Sequence, residues 1–381
     1  MASYPFILHN ALDSWGAKSW TPEKLAELLP SLRVEARFGP LKHTPGEILW
    51  ETKSPRREIT FEEFLRWEKG EMVSICKDFP RDDFWAYVDY KYLFQLCREQ
   101  PHLLKAVDWS HFGLNLSGKE STLWLGTKGA YTPCHYDTYG FNLHAQVYGS
   151  KRWVLFPPEA SEWLMPTRIP YEESSVFSSI DILSAPTSLR KCPIHMVTLH
   201  AGDVLYLPPK WWHSVQCMDT CLSINTWVEL PSDAEARKRE ALTKALVSLL
   251  LDNSEQLMTT NELAPSEASG DFDLSECLAH VFSPVKNGEE TLESSQKRRR
   301  IDGDIHANFV EKFRQKGDKV VEVTFEEFSH AMQAGPLIWD QPGKLEKRTH
   351  SDGNFSGRRE FVNALLHPKS VATMLEVLEE K

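Results

Sequence analysis

Several features are absent from this sequence, and each absence excludes a class of protein. No stretch of about eighteen consecutive apolar residues occurs, so the sequence predicts no transmembrane helix and no membrane partner. The first residues lack a basic segment followed by a long apolar run, so we expect no secretory signal. The 7 cysteines form no CxxC pair and are odd in number. Such cysteine usage is typical of reduced thiols in a cytoplasmic or nuclear protein.

Basic residues are also fewer than acidic residues. The chain has 43 lysines and arginines against 54 aspartates and glutamates, and its formal net charge is -11. Because an acidic chain repels phosphate backbones, we expect no nucleic-acid partner. One basic run, Lys297–Arg300, lies in a polar stretch and is either a nuclear import signal or a set of solvated charges. We therefore predict a cytoplasmic location and leave a nuclear one open.

Short β-strands are the main pattern that is present, from Ser121 to Leu230. They are separated by turn signals such as Gly149-Ser150, and no helices are predicted between them. This arrangement is typical of a β-sandwich or barrel. The less regular segment 159–191 is expected to form a loop or insertion beside the barrel. The predicted strands are Thr122–Leu125, Phe141–Tyr148, Arg152–Phe156, His195–Leu199, Val204–Leu207, His213–Cys217 and Cys221–Val228.

Signals for helix starts mark the regions on either side of the barrel. Thr21 precedes a short helix, and capping boxes begin at Thr60, Ser232 and Thr324. Residues 252–304 are rich in Ser, Glu, Asn and Asp, a composition that predicts a flexible linker. The predicted organisation is a domain at 1–230 with its barrel core at about 85–230, a helix at 231–251, the linker at 252–304 and a helical region at 305–381.

The strongest chemical signal is the pair His135 and Asp137, followed far along the chain by His213. Two imidazoles and one carboxylate on one face of an ion are typical of a mononuclear non-haem Fe(II) site, whose opposite face stays open for reactants. Because His135 and Asp137 lie two apart on one strand, both point to the same side of it. An HxD pair alone is weak evidence, and the residues around it make a metal site the favoured interpretation.

Four further polar residues suit a dicarboxylate cosubstrate. The ammonium of Lys151, on or beside a predicted strand, is placed to pair with a distal carboxylate. Thr132 lies three residues before His135 and adds a hydroxyl, while Asn142 and Asn225 can orient the bound acid. This set fits 2-oxoglutarate, because its 1-carboxylate and 2-keto oxygen chelate iron and its 5-carboxylate requires a cation deep in the barrel.

Six segments together carry a family resemblance: Leu123–Asp137, Asn142–Arg152, Leu155–Pro158, Gly202–Pro208, Trp211–His213 and Asn225–Trp227. They resemble the JmjC family of Fe(II)- and 2-oxoglutarate-dependent oxygenases, with motifs like those of the asparaginyl hydroxylase of hypoxia-inducible factor and of the branch associated with small heat-shock proteins. The resemblance covers roughly residues 1–230. It implies a mainly β fold, a double-stranded β-helix (jelly-roll or cupin) with N-terminal α/β elements and C-terminal helices.

The resemblance also assigns roles to individual residues. The implied ligands of one Fe(II), which are also the catalytic residues, are His135, Asp137 and His213. The implied cosubstrate contacts are Thr132 and Lys151 at the distal carboxylate, together with Asn142 and Asn225. One more residue separates Asp137 from Asn142 than in the asparaginyl hydroxylase. The family's upstream tyrosine that touches the cosubstrate is not placed, and Tyr87 and Tyr92 are the candidates. His144 follows Asn142 by two and is expected on the same face.

The function implied by the resemblance is an oxygenase that uses Fe(II), 2-oxoglutarate and dioxygen to hydroxylate a protein, with a role in the stress response. One alternative is a catalytically weak or inactive protein of the same fold that binds and regulates small heat-shock proteins. Another is a cupin that uses a different metal, against which Lys151 and Thr132 argue. The C-terminal helices are either a dimerisation or partner module, which would allow a homodimer, or a bundle that covers the barrel edge.

Overall fold

The computed structural model describes residues 4–250, 303–339 and 361–379. The predicted linker 252–304 and the basic run Lys297–Arg300 lie outside the described residues, except for the last two linker positions, where a helix begins at Gly303. Among the residues that the structure describes, no helix is both long and apolar enough to span a bilayer.

Strands dominate the first 230 residues. All seven strands predicted between Ser121 and Leu230 are confirmed, with small shifts at their ends. The strands are β1 Phe6–Leu8, β2 Arg33–Pro40, β3 Lys42–His43, β4 Arg56–Thr60, β5 Phe84–Tyr92, β6 Thr122–Gly126, β7 Tyr131–Asp137, β8 Phe141–Tyr148, β9 Ser150–Phe156, β10 Pro166–Thr167, β11 Ser175–Ser178, β12 Ile194–His200, β13 Val204–Leu207, β14 Trp212–Cys217, β15 Cys221–Val228, β16 Asp318–Lys319, β17 Glu322–Val323 and β18 Ile338–Trp339.

Helices lie before and after the strands of the barrel. The predicted caps form at Thr21, Thr60 and Thr324, where each side chain accepts a hydrogen bond from a backbone N–H three residues on. The helix predicted at 231–251 is found with nearly those bounds. The helices are α1 Pro22–Leu28, α2 Phe61–Glu68, α3 Leu93–Leu96, α4 Ser161–Leu164, α5 Asp233–Leu250, α6 Gly303–Arg314, α7 Phe325–Gln333 and α8 Pro368–Glu379.

Two mainly antiparallel sheets form the barrel. The larger sheet has the order β16-β1-β13-β8-β15-β6-β5-β2-β4, and the smaller has the order β10-β11-β7-β14-β9-β12-β17. Consecutive strands often belong to opposite sheets, as in a jelly roll. The connection from β8 to β9 turns at Gly149, which has a φ of +65° and where a Cβ would lie 2.3 Å from the Thr220 carbonyl oxygen. The predicted β-helix fold, with flanking helices, is confirmed.

Alternation along β8 and β15 separates an apolar face from a polar one. Leu143, Ala145 and Ile224 pack into the main hydrophobic core, on the side of the N-terminal helices. The intervening residues, among them Asn142 and Asn225, therefore face the inside of the barrel. A smaller apolar cluster fills another part of the interior, and it includes Trp153, Leu155, Leu205 and Val215. The polar row on β8 and β15 thus lies where a functional site can form.

The described segment 303–339 contacts both sheets. β16 pairs with β1 of the larger sheet, and β17 pairs with β12 of the smaller one. Phe309 and Phe313 of α6 join the main core, and Arg152 Nη1 of β9 donates to the Ala331 carbonyl oxygen of α7 at 2.5 Å. The region predicted as helical therefore also contains short strands. Its strands β16 and β17 cover sheet edges, in line with one of the two interpretations left open for this region.

Candidate metal centre

Strand pairing brings the three predicted metal ligands together. β14 lies antiparallel to β7 with His213 directly opposite His135, and the centroids of the two rings are 4.1 Å apart. Asp137 ends the same strand, and its Oδ1 lies 3.8 Å from Nε2 of His135. One ligand atom from each of the three residues lies within 4.8 Å of the others. Two nitrogens and one oxygen converging in this way fit the donor set of an Fe(II) site. The place where these three atoms converge is called the metal point.

A bulge in β7 decides which side chains face that point. Thr132 lies opposite Val215, and His135 lies opposite His213, so β7 has one residue more than β14 between the two pairs. In a regular strand, residues three apart face opposite sides. The extra residue turns Thr132 to the inward side that His135 occupies. Pro133, which has no N–H to donate to the ladder, lies in the bulge.

Backbone carbonyls set the tautomer of both histidines. Nδ1 of His135 lies 2.9 Å from the Pro133 carbonyl oxygen, and Nδ1 of His213 lies 3.0 Å from the Trp211 carbonyl oxygen. Because a carbonyl can only accept, each Nδ1 must carry the proton and donate it. Each Nε2 then keeps its lone pair for a metal ion. A hydrogen bond of this kind, behind the ligand atom, also holds the ring in orientation.

One oxygen of Asp137 is held by protein groups and the other remains for a ligand. Trp227 Nε1 donates to Asp137 Oδ2 at 3.0 Å, and Asn142 Nδ2 donates to the same oxygen at 3.4 Å. Oδ1 is the oxygen that lies near the histidine nitrogen. The Asp137 side chain is partly exposed, so the metal point is open to solvent on that side. Trp227 had no assigned contact from the sequence.

The two predicted asparagines form a chain of hydrogen bonds that ends at Asp137. Trp124 Nε1 donates to Asn225 Oδ1 at 2.7 Å. Asn225 Nδ2 donates to Asn142 Oδ1 at 3.1 Å, and Asn142 reaches Asp137 as described. The structure thus places Asn142 and Asn225 beside the metal point despite the extra residue between Asp137 and Asn142. The four side chains in this series of hydrogen bonds keep a single orientation, because each contact fixes the next side chain.

Lys151 is a buried cation on the inward face of β9. Its residue is 1% exposed, and Nζ donates to Ser223 Oγ at 2.7 Å and to Tyr87 OH at 3.1 Å. Nζ also lies 5.3 Å and 5.8 Å from the ring centroids of Tyr87 and Trp124. Within the described residues, Lys151 has no carboxylate partner. A buried ammonium without a carboxylate partner can bind an anion.

Of the two candidate tyrosines, Tyr87 is the one that contacts Lys151. It is buried on β5 and accepts from Lys151, whereas Tyr92 lies at the far end of that strand, opposite Thr122. Ser223, the other partner of Lys151, was missed entirely. No motif points to either contact, because both depend on which strands face Lys151 across the barrel. The strand β5 was not predicted from the sequence. Had it been, the spacing of Tyr87 and Tyr92 would have shown that they lie at different depths in the barrel.

Burial controls the charge of the histidines in the barrel. Burial, with a smaller contribution from the neighbouring His135 ring, lowers the pKa of His213 to about 4. Burial also lowers the pKa of His144 well below its ordinary value, with smaller contributions from the charges of Lys151 and His213. Both rings are therefore neutral at pH 7. A neutral imidazole can bind a metal without first losing a proton.

The predicted insertion forms one wall of the site. β11 pairs with β7 and places Phe177 opposite His135, with ring centroids 5.8 Å apart. Trp50 packs edge-on against Phe177 at 5.5 Å. Trp50 and Tyr90 are partly exposed. Desolvation raises the pKa of the Tyr90 phenol well above its ordinary value, with smaller contributions from nearby negative charges that include Asp137. Partly exposed aromatic side chains therefore surround the open side of the metal point.

Similarity to known proteins covers the whole barrel. A family model described as a cupin-like domain matches residues 1–234. The Bos taurus protein named HSPB1-associated protein 1 is 43% identical over 271 residues, which cover 69% of this chain and 56% of that protein. This chain spans about half the length of the curated relatives it matches.

Two more distant relatives carry other names. The Drosophila melanogaster Jumonji C domain-containing protein 5 is 35% identical over 108 residues, 28% of this chain and 27% of that protein. The Arabidopsis thaliana lysine-specific demethylase JMJ31 is 26% identical over 269 residues, 60% of this chain and 46% of that protein. The similarity therefore extends from proteins named for an association to proteins named for a domain or an enzymatic activity.

Proposed function

Since this chain belongs to the cupin-like domain family and has JmjC relatives, we propose that it is an Fe(II)- and 2-oxoglutarate-dependent oxygenase that hydroxylates a protein. The observation that carries this proposal is the combination of three converging metal ligands with a buried lysine that lacks a carboxylate partner among the described residues. A site for metal alone would need only the ligands. The buried cation is explained if the cosubstrate supplies a carboxylate.

The predicted metal ligands and the residues at the distal carboxylate then have separate tasks. His135 and His213 would hold the ion through Nε2, and Asp137 would hold it through Oδ1. Lys151 and Thr132 would bind the distal carboxylate of the cosubstrate. Bound Fe(II) and 2-oxoglutarate would supply an oxidation in which decarboxylation of the cosubstrate is coupled to hydroxylation of a C–H bond by dioxygen. The protein contributes orientation and exclusion of water.

The proposed substrate or partner is a protein, and small heat-shock proteins are the first candidates. The Bos taurus relative, 43% identical to this chain, is named for an association with HSPB1. That name also favours a second candidate function, a regulator that binds small heat-shock proteins with little or no catalysis. The second function gives no reason for the buried Lys151. We propose a cytoplasmic location for either function, with the nucleus still open.

Uncoupled turnover tests the first proposal. Iron-loaded protein with 2-oxoglutarate and dioxygen should form succinate slowly alone and faster with a protein substrate, supplied as purified small heat-shock protein or as cell extract. Asp137→Ala and His213→Ala, which each remove one ligand and leave Lys151 intact, should form only background succinate. Wild-type protein that forms no more succinate than these variants under any of the conditions would favour the regulator.

A further inference from the structure

Among the described residues of the barrel interior, His144 Nε2, Gln146 Oε1 and Trp153 Nε1 are buried and have no partner within hydrogen-bond geometry. Burying a donor or acceptor without a partner costs stability, and native proteins rarely leave such groups unpaired. His144 is 4% exposed, so water at the surface does not satisfy it. An unpaired group in this position is explained if a bound molecule supplies the partner.

Strand register places His144 between the metal point and Lys151. Residue pairs on β8 and β15 form successive layers that run from the metal point towards Lys151. In the first layer Asn142 lies opposite Trp227, which contacts the metal ligand Asp137. His144 lies opposite Asn225, one layer further in. Gln146 and Ser223 follow in the next layer, where Ser223 contacts Lys151. A dicarboxylate that extends from the metal to Lys151 must therefore pass His144.

The ring of His144 is held in place by its neighbours. It packs edge-on against Trp153, with centroids 4.7 Å apart and an interplanar angle of 71°. Trp153 in turn stacks on His213 at 5.7 Å. An apolar ring could fill the same space without leaving a nitrogen unpaired, so packing alone gives no reason for a histidine here.

We propose that His144 is a cosubstrate-positioning residue, whose Nε2 donates a hydrogen bond to an oxygen of the metal-chelating 2-oxo acid group. This inference rests on the proposed function and deepens it. A neutral imidazole carries one N–H, and an anionic oxygen is a strong acceptor for it. The hydrogen bond would hold the 2-oxo acid group of the cosubstrate in position at the metal, while Lys151 holds the distal carboxylate. His144 would then act on cosubstrate binding and leave metal binding to the three ligands.

Calorimetry on the full chain loaded with Mn(II) tests this role. His144→Phe keeps the ring and removes the donor, so its affinity for 2-oxoglutarate should fall about tenfold or more, the range for a lost hydrogen bond to a charged group. His144→Gln keeps a donor and should recover most of that loss. Mn(II) affinity should be unchanged in both. His195→Phe is the matched control, since His195 is also buried, has an unpaired Nδ1 and packs edge-on against Trp211.

Thermal unfolding separates positioning from packing. Without cosubstrate, His144→Phe should be at least as stable as the wild type, because an unpaired buried nitrogen is gone; the rise in Tm on adding 2-oxoglutarate should be smaller. Equal 2-oxoglutarate affinity in wild type and His144→Phe would overturn the inference, as would a loss of unliganded stability without a loss of affinity. If His144→Phe does not fold, His144→Leu replaces it. Mn(II)-loaded wild type that binds no 2-oxoglutarate would instead refute the proposed function.

Discussion

At the residue scale, the surroundings of Lys151 are the clearest indication of what the barrel binds. Two hydroxyl groups and two aromatic rings contact the ammonium, and these groups solvate the charge without neutralising it. Removing a charged group from water costs free energy unless a group of opposite charge lies beside it. The described residues provide no carboxylate beside it, which is why we propose that an anion from solution completes the environment of Lys151.

Removing the charge of Lys151 should weaken 2-oxoglutarate binding without weakening metal binding. Lys151→Met keeps the length of the apolar stem and removes the ammonium, and the expected loss is about 3 kcal/mol, or roughly a hundredfold in Kd. Calorimetry with Mn(II)-loaded protein measures both affinities. Lys151→Arg keeps the charge and serves as the control. The assignment of Lys151 would be wrong if wild type and Lys151→Met bound 2-oxoglutarate equally well.

At the element scale, the long helix α5 is attached to the insertion by a buried ion pair. Arg168, beside β10, pairs with Glu240 of α5, and both side chains are nearly inaccessible to solvent. Tyr171 of the insertion packs its ring 4.8 Å from the Arg168 guanidinium. Because a buried pair has lost its hydration, either charge becomes costly when its partner is removed. The position of α5 against the insertion therefore depends on both residues.

Breaking this pair should destabilise the protein more than removing both charges. Glu240→Leu leaves Arg168 buried and unpaired, and the free energy of unfolding should fall by about 3–5 kcal/mol. The double variant Arg168→Met/Glu240→Leu should recover most of the loss, as judged by urea unfolding followed by tryptophan fluorescence. Glu326→Ala, which breaks the exposed pair with Arg190, should cost less than about 1 kcal/mol. A double variant as unstable as Glu240→Leu would contradict this account.

At the scale of the whole molecule, the described segment 303–339 completes the barrel. β16 and β17 each pair with a strand that would otherwise be an open edge, and Phe309 and Phe313 belong to the core formed by the first 230 residues. Open edges favour aggregation, and covering them protects the sheet. The described C-terminal segment 303–339 is therefore part of the structural unit that carries the site.

Limited proteolysis tests both the predicted linker and this packing. The composition of residues 252–304 predicts that the first cuts fall there. Because the segment that follows is paired with both sheets and packed into the core, the two fragments should remain associated. They should co-elute on size-exclusion chromatography and separate only in denaturant. First cuts within 121–230 would contradict the linker, and fragments that separate without denaturant would contradict the packing.

Local sequence determined the parts of this protein that depend on neighbouring residues. The strand alternation at Phe141–Tyr148, the caps at Thr60 and Thr324, and the shared orientation of His135 and Asp137 all follow from spacing within one element. These features require no knowledge of distant contacts. For the same reason, the strand pattern predicted a β-sandwich or barrel, and the jelly-roll form was what the family resemblance of the motifs implied.

Contacts between distant segments were decided only by the tertiary structure. The partners of Lys151, the bulge that turns Thr132 inward and the layer that holds His144 all depend on which strands are neighbours and in what register. A shift of register by one residue would turn each of these side chains to the other face of its sheet. The register of the strands is set by the packing of the whole barrel. A local sequence pattern therefore specifies which residues are polar, but it does not specify which of them contact one another.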